Sequence, residues 1–323
     1  MIKHIVINGG GPSGLLSYGA LRYLFKHDFV NMENIKSIYG TSIGGLFGVM
    51  ISLKYDWDTL DDYLTKRPWH KVFKMEPDNL FGLYYNKGLF SFSIVEEFLK
   101  PLLEANDLSL NITLKEYHEY NKIDHHFFST EMNDLKIIDV SHKTHPELTL
   151  IKALEMTVAV PILFKPVFLD GKCYIDGGLL NNYPVKNCLE NEQCEDNEIL
   201  GIRNHFTNRL NIQEDMNILE YLQNLQGMLV KKLQKEYAIE NSIPYEVKCL
   251  CDKNILNYSE WLSFITDNDK CIELIEQGGT SGELFLNYQK QLHTTVKNEN
   301  KNKNKNDSGN DSGNDSGNEN EKI

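Results

Sequence analysis

Two short apolar runs near the N-terminus each break on glycine and then give way to a helical pattern, and nothing else in the chain limits its fold as strongly. Ile2 to Ile7 is β-branched and apolar and stops at Gly9-Gly10-Gly11. Pro12 to Lys26 follows, with Leu16, Ala20, Tyr23 and Leu24 at helical spacing and Pro12 suited to a first helical position. Ile35 to Tyr39 is a second short strand ending at Gly40, and a second helix runs from Ile43 to about Leu53. Strand, helix, strand, helix requires parallel strands with helices on their faces, because only a crossover can join parallel neighbours. The fold class expected is α/β, a three-layer αβα domain with a mostly parallel sheet.

The rest of the chain extends that frame. Tyr55 to Tyr120 is helix-rich, with Ser93 and Glu96 spaced as a capping box before the stripe Phe98, Leu99, Leu102 and Leu103. Strands are expected at His125 to Thr130 and Lys136 to Val140, and a helix at Thr149 to Ala159 that ends at Pro161. Val167 to Ile175 reads as a hairpin turning on Asp170-Gly171 in type I′ geometry, and Glu198 to Arg203 as a last strand. Beyond residue 205 the pattern becomes helical. Ile218, Leu222, Leu225, Leu229 and Leu233 mark a long amphipathic helix expected to pack on the sheet, with a lid or membrane-surface role as the alternative. Two further helices are expected over Trp261 to Glu276 and Gly282 to His293. From about Lys297 the chain turns to Asn and Lys and then three DSGN units, which cannot bury enough apolar surface to offset ordering. The division is therefore 1–205 as the core domain, 206–296 as a helical extension and 297–323 as a disordered tail.

Composition narrows the partners. The chain has 33 Lys and Arg against 46 Asp and Glu, a formal net charge of -13, which argues against nucleic acid as a partner. No apolar run approaches the ~18 residues of a membrane-spanning helix, and the three apolar residues after His4 are too few for a secretory leader. The six cysteines form no CxxC pair and the ten histidines show no HExxH spacing, so neither a disulfide framework nor a metal is expected, and a cytoplasmic setting is.

Three glycine-centred sites carry the chemistry. Gly9-Gly10-Gly11-Pro12-Ser13-Gly14 joins a strand to a helix, where free N–H groups and the helix dipole favour an anion, either a pyrophosphate or a reaction oxyanion. The pattern also fits GxGxxG, but the second strand ends at Tyr39-Gly40 without the acidic residue that a dinucleotide ribose requires. What stands there is Gly40-Thr41-Ser42-Ile43-Gly44, a GxSxG at a strand-to-helix junction. Small residues at Gly40 and Gly44 permit the sharp turn that lifts a serine out of the sheet, so Ser42 is the candidate nucleophile. Asp176-Gly177-Gly178 ends a predicted strand. It is a turn signal first, but no histidine has a recognisable catalytic context, which makes Asp176 the candidate base, with His4 and His205 as the histidines to test otherwise.

Together these motifs resemble the patatin-like phospholipase family. They occur in the family's order, with Pro161, Phe164 and Pro166 before the aspartate and Asn181-Asn182-Tyr183-Pro184 after it; Lys87 to Phe90 and Ser129 to Asn133 are also similar. The resemblance spans about residues 4 to 205. It implies lipid acyl-ester hydrolysis by a Ser42–Asp176 dyad without cofactor or metal, on lipid or phospholipid, with transient contact at a membrane surface. It implies an oxyanion loop of Gly9, Gly10, Gly11 and Gly14 whose donors come from Gly10, Gly11 or Ser13, joined by Ile43. Gly40 and Gly44 are then the elbow glycines, and Gly177 and Gly178 complete the proton-acceptor motif. A catalytically silent lipid-binding scaffold of the same fold is the alternative. Ser13 stands where the family usually has Arg or Lys, and Ser13→Arg is expected to be tolerated. A dyad without histidine is expected to show no loss of kcat/KM near pH 6.5.

Overall fold

A computed structural model describes residues 1–73, 83–207, 212–237, 243–251, 262–263 and 266–307. The main sheet runs in the order β10-β9-β1-β2-β4-β8-β7, with β5 on the other edge of β4. Its strands are β1 (His4–Ile7), β2 (Ser37–Thr41), β4 (Asp124–Glu131), β5 (Lys136–Ser141), β7 (Val167–Leu169), β8 (Lys172–Asp176), β9 (Ile199–Phe206) and β10 (Tyr245–Cys251); β3 (Gly88–Phe90) and β6 (Ile162–Phe164) form a separate small pair. The pairs β10–β9, β9–β1, β1–β2 and β2–β4 are parallel, and β5, β7 and β8 join antiparallel. The mostly parallel αβα arrangement expected from the first fifty residues is the arrangement found. The Val167–Ile175 hairpin also forms, with Asp170 and Gly171 at φ 49° and 74°, the two positive angles a type I′ turn demands.

The helices are α1 (Gly14–Lys26), α2 (Ile43–Ser52), α3 (Trp57–Lys66), α4 (Trp69–Val72), α5 (Ser93–Glu104), α6 (Leu114–Asn121), α7 (Leu150–Val158), α8 (Val185–Glu192), α9 (Ile218–Tyr237) and α10 (Asn268–Asp307). α2 is buried from Gly44 to Ser52, as befits a helix whose sequence is apolar on every side. α7 starts where predicted, Thr149 Oγ1 accepting from the Lys152 N–H at 3.2 Å. The expected box at Ser93 does not form: Phe92 is the N-cap of α5, and the Ser93 hydroxyl pairs with that of Ser91 at 2.6 Å.

The C-terminal region departs further from expectation. It is not helical throughout, because β10 pairs along its length with β9, from Tyr245 opposite Leu200 to Cys251 opposite Phe206. Its inward residues are Val247, Cys249 and Cys251. Nor do two helices flank Gly278-Gly279. A single helix, α10, passes through both glycines, and through the boundary expected at Lys297, to Asp307. The remaining DSGN units lie outside the described residues. The physical reason for the unbroken helix is its packing on α1. A Cβ on Gly278 would come within 2.1 Å of the Leu16 carbonyl oxygen, so the glycine allows two backbones to touch. Close packing there offsets the ~1 kcal/mol that glycine costs a helix interior. Finally, the apolar stripe of α9 is only partly used. Ile218 and Leu229 are exposed, whereas Gln223 and Asn224 are buried.

Gly278→Val is expected to separate α1 from α10 and destabilise the fold by about 1–3 kcal/mol or more, read as a fall in Tm, while Gly171→Asn in the open hairpin turn should leave Tm nearly unchanged.

Candidate active site

The site is built on one edge of β4. β2 pairs along that edge as far as Thr41 opposite Phe128, and β8 takes the edge over at Asp176 opposite Ser129. β5 occupies the other edge throughout, since Thr130 pairs with both Ile137 and Ile175. The residue that follows β2, Ser42, and the residue that ends β8, Asp176, therefore arrive at the same point on the sheet from opposite directions.

Ser42 has φ 56° and ψ −128°, a left-handed conformation that an ordinary side chain rarely adopts. The surroundings impose it. Gly44, the second residue of α2, lies so close to β1 that a Cβ would stand 2.4 Å from the Ile7 carbonyl oxygen. The Ser42 N–H donates to Thr157 Oγ1 at 2.9 Å, and the Thr157 hydroxyl donates in turn to the Phe128 carbonyl. Thr157, on α7, thus ties the turn to β4; sequence reading passed over it because a helical threonine carries no motif. Gly40 sits in β2 directly against the first turn of α2.

Gly9, Gly10 and Gly11 lie just past β1, Gly11–Ser13 forms one 3-10 turn, and Gly14 opens α1. Asn182 fastens this loop. Its backbone oxygen accepts from the Gly9 N–H at 3.1 Å and its side-chain amide donates to the Gly9 oxygen at 3.2 Å. The Thr41 hydroxyl donates to the neighbouring Asn181 oxygen at 2.8 Å. The Ser13 N–H donates to the Gly10 oxygen at 3.2 Å, which favours Gly10 and Gly11 among the three alternatives for an oxyanion donor. The surroundings of Ser13 argue against the expected tolerance of Ser13→Arg. Ser13 is fully buried, its hydroxyl donating to the Gly10 oxygen at 2.9 Å, and Asn204 Nδ2 donates to its carbonyl oxygen at 3.0 Å.

Asp176 is 6% exposed. Its Oδ1 accepts from the Gly178 N–H at 2.6 Å inside the short turn Gly177–Leu179. Oδ2 is buried and makes no hydrogen bond of good geometry among the described residues. Burial pushes the carboxyl up to about 6, against the opposing pull of the Ser42 hydroxyl and the Gly178 N–H. His4 is at the other end of its strand from this point, its Nδ1 at 2.7 Å from Ser37 Oγ.

An apolar cleft opens beside Ser42. Leu15, Ile43, Phe47, Trp69, Phe98 and Phe164 are among the side chains that line it, with Gly11 and Pro12 at the same wall, and its empty space including the mouth is about 850 Å³. On the opposite side Gln234 of α9 donates its amide to the Gly178 carbonyl. No helix of the described residues is long and apolar enough to cross a membrane.

A sequence model of the patatin-like phospholipase family matches residues 5–189, and the chain belongs to that family. It is 26% identical over 184 residues to an uncharacterized protein of Acanthamoeba polyphaga mimivirus, a match covering 57% of this chain and 60% of that one. It is 25% identical over 185 residues to a probable lipid hydrolase of Invertebrate iridescent virus 6, covering 57% and 62%. The chain thus spans about six-tenths of the length of these relatives. Among solved structures it is similar to VipD from Legionella pneumophila, with 13% identity, coverage of 86% and 67%, and a TM-score of 0.46. It is similar also to the type III effector ExoU of Pseudomonas aeruginosa, with 11% identity, coverage of 89% and 53%, and a TM-score of 0.47.

Two stability outcomes follow from the burial of these groups. Ser13→Arg is expected to lower Tm by several degrees, because the longer side chain must displace Asn204. For Asp176 the sign is opposite. Its carboxyl is raised in the folded state, so its contribution is fully favourable below about pH 4 and is lost as pH rises through 6. Asp176→Asn should then be more stable than wild type at pH 8, by on the order of 3 kcal/mol at most, and the advantage should vanish by pH 4, as measured by urea unfolding at both pH values.

Proposed function

We propose that this protein is a lipid acyl hydrolase in which Ser42 attacks an ester carbonyl and Asp176 is the base. The observation that carries the reading is a serine held in a strained turn on the wall of an apolar cleft, with a buried carboxylate beside it that burial raises to about 6. Asp176 Oδ2 takes the Ser42 proton as the Cα-strained hydroxyl oxygen bonds to the carbonyl carbon. An ordinary aspartate, near 3.9, is a weak base; one raised by burial lies closer to the optimum for proton transfer at neutral pH. The carbonyl oxygen gathers negative charge and is met by the Gly10 and Gly11 N–H groups, joined by that of Ile43 at the start of α2. Collapse expels the alcohol, which receives the proton from Asp176. Water then attacks the acyl-serine, with Asp176 taking its proton, and as the carboxylic acid leaves Asp176 returns that proton to Ser42 Oγ.

The cleft fits an acyl chain, since its walls are Leu, Ile, Phe and Trp side chains. Glycerophospholipids and lysophospholipids are the substrate class we favour. The exposed Ile218, Tyr221 and Leu229 on α9, whose far end contacts Gly178, give the protein an apolar surface for transient contact with the lipid layer that presents the substrate.

The test is labelling by a serine-reactive fluorophosphonate together with release of fatty acid from phospholipid vesicles. Wild type should do both and Ser42→Ala neither, with unchanged far-UV circular dichroism; turnover retained by Ser42→Ala would overturn the assignment. Asp176→Asn should lower kcat by about 10²–10⁴. The raised carboxyl also revises the expected pH profile: kcat/KM should fall tenfold per pH unit below about 6 through Asp176 itself, in a limb that mimics histidine. The same limb in variants of His4 and His205 would assign it to the aspartate.

A further inference from the structure

At the end of the sheet away from Ser42, strand starts and one helix end gather a second set of polar side chains. Asp124 and His126 are on β4, and Glu192 is the last residue of α8. One potential ligand atom from each of the three lies within 4.8 Å of the other two. We propose that Asp124, His126 and Glu192 bind one divalent cation of the zinc class, with His126 bonding through Nε2.

The argument begins with His126, which is 3% exposed. Its Nδ1 lies 2.9 Å from both oxygens of Asp139 and donates to that carboxylate. The proton is thereby fixed on Nδ1, which leaves Nε2 with a lone pair. Nε2 is buried and has no hydrogen-bond partner among the described residues. A buried acceptor without a donor is costly, and a metal ion is one of the few species that can satisfy it. A carboxylate on the far ring nitrogen is the usual arrangement behind a metal-bound imidazole, because it fixes the tautomer and raises the basicity of the ligating nitrogen. Asp139 is itself held, accepting from Asn191 Nδ2 at 3.1 Å.

The carboxylates supply the second argument. Oxygens of Asp124 and Glu192 brought this close repel each other unless positive charge lies near. Glu192 is oriented by the Tyr39 hydroxyl, which donates to Oε1 at 2.9 Å, and the Tyr39 ring stacks on His126 at 4.1 Å. Lys143 makes an ion pair with Asp124 and acts electrostatically on Glu192 and Asp139 as well, so one lysine charge faces three carboxylates. Lys143 is 54% exposed and free to swing into water when a cation arrives. One imidazole and two carboxylates suit Zn²⁺ or Mn²⁺, with water completing the coordination. The bound ion would fasten the end of α8 to β4. Because α8 begins next to the Asp176–Pro184 loop, the cation would stabilise the layer that carries that loop.

A neighbouring cluster makes the assignment discriminating. His118 Nδ1 and His142 Nε2 lie 3.0 Å and 3.7 Å from Asp124 Oδ1, on a set that excludes His126 and Glu192. The full-length protein, stripped with chelator and dialysed, should be titrated calorimetrically with ZnCl₂ alone and MnCl₂ alone. We expect one Zn²⁺ per chain, and a Tm raised by about 5 °C or more at a hundredfold excess over Kd. Glu192→Gln, which keeps the Tyr39 contact, and His126→Gln should each weaken binding at least tenfold. Lys143→Ala, an exposed change that leaves the fold alone, should tighten binding severalfold by removing the competing cation. Absence of stoichiometric binding by wild type overturns the proposal. So does affinity unchanged by Glu192→Gln, affinity not raised by Lys143→Ala, or binding lost in His118→Ala/His142→Ala but kept in His126→Gln.

Discussion

Two strands share one edge of β4, and the site exists because they do. If β2 ran one residue further, or β8 one residue less, Ser42 and Asp176 would no longer reach the same point, since a one-residue slip in a strand turns every side chain to the opposite face. The register is held by buried contacts on both sides. Thr41 reaches Asn181, Ser129 Oγ donates to Ile175 O at 2.7 Å and to Met156 O at 3.0 Å, and Thr157 spans Ser42 and Phe128. Such short polar links are worth about 1 kcal/mol each, but breaking one leaves a buried group unpaired, which costs more. They fix geometry more than they add stability.

The contrast between the two ends of the sheet has a chemical basis. At the C-terminal ends of the parallel strands glycines and small side chains leave backbone N–H groups and helix starts uncovered by bulky side chains, the setting that favours negative charge. At the other end imidazole and carboxylate side chains converge, and the surplus charge is negative. In a chain with net charge -13 the proposed oxyanion loop and the proposed cation cluster do not conflict, because the sheet keeps them apart.

Most of the first two hundred residues were legible because local signals agreed there: β-branched runs, glycine punctuation and helical spacing all pointed to one α/β frame. Ser42 and Asp176 were singled out by motif and order, and the sheet register brings them to one point. β10 was not, although Val247, Cys249 and Cys251 alternate as a strand should. Cysteine was weighed as a thiol, whereas here it packs as a small apolar side chain. The unbroken α10 was missed because glycine weakens an isolated helix, and only the backbone of α1 at Leu16 explains why Gly278 is there. The burial of Ser13 was not legible for a similar reason: Asn204, which donates to its carbonyl oxygen, is nearly two hundred residues away. The cluster around His126 has no spacing to read, since β4 and α8 bring it together only in the fold.

Asn182 holds the Gly9 backbone at both its N–H and its carbonyl, and it stands six residues after Asp176 on the same short connection. The Asp176 turn and the glycine loop are thus joined through one residue, although the sequence separates them by more than half of the matched region. A shift in one is transmitted to the other. Substitutions around Gly9 and around Asp176 should consequently be non-additive in their effect on stability and turnover.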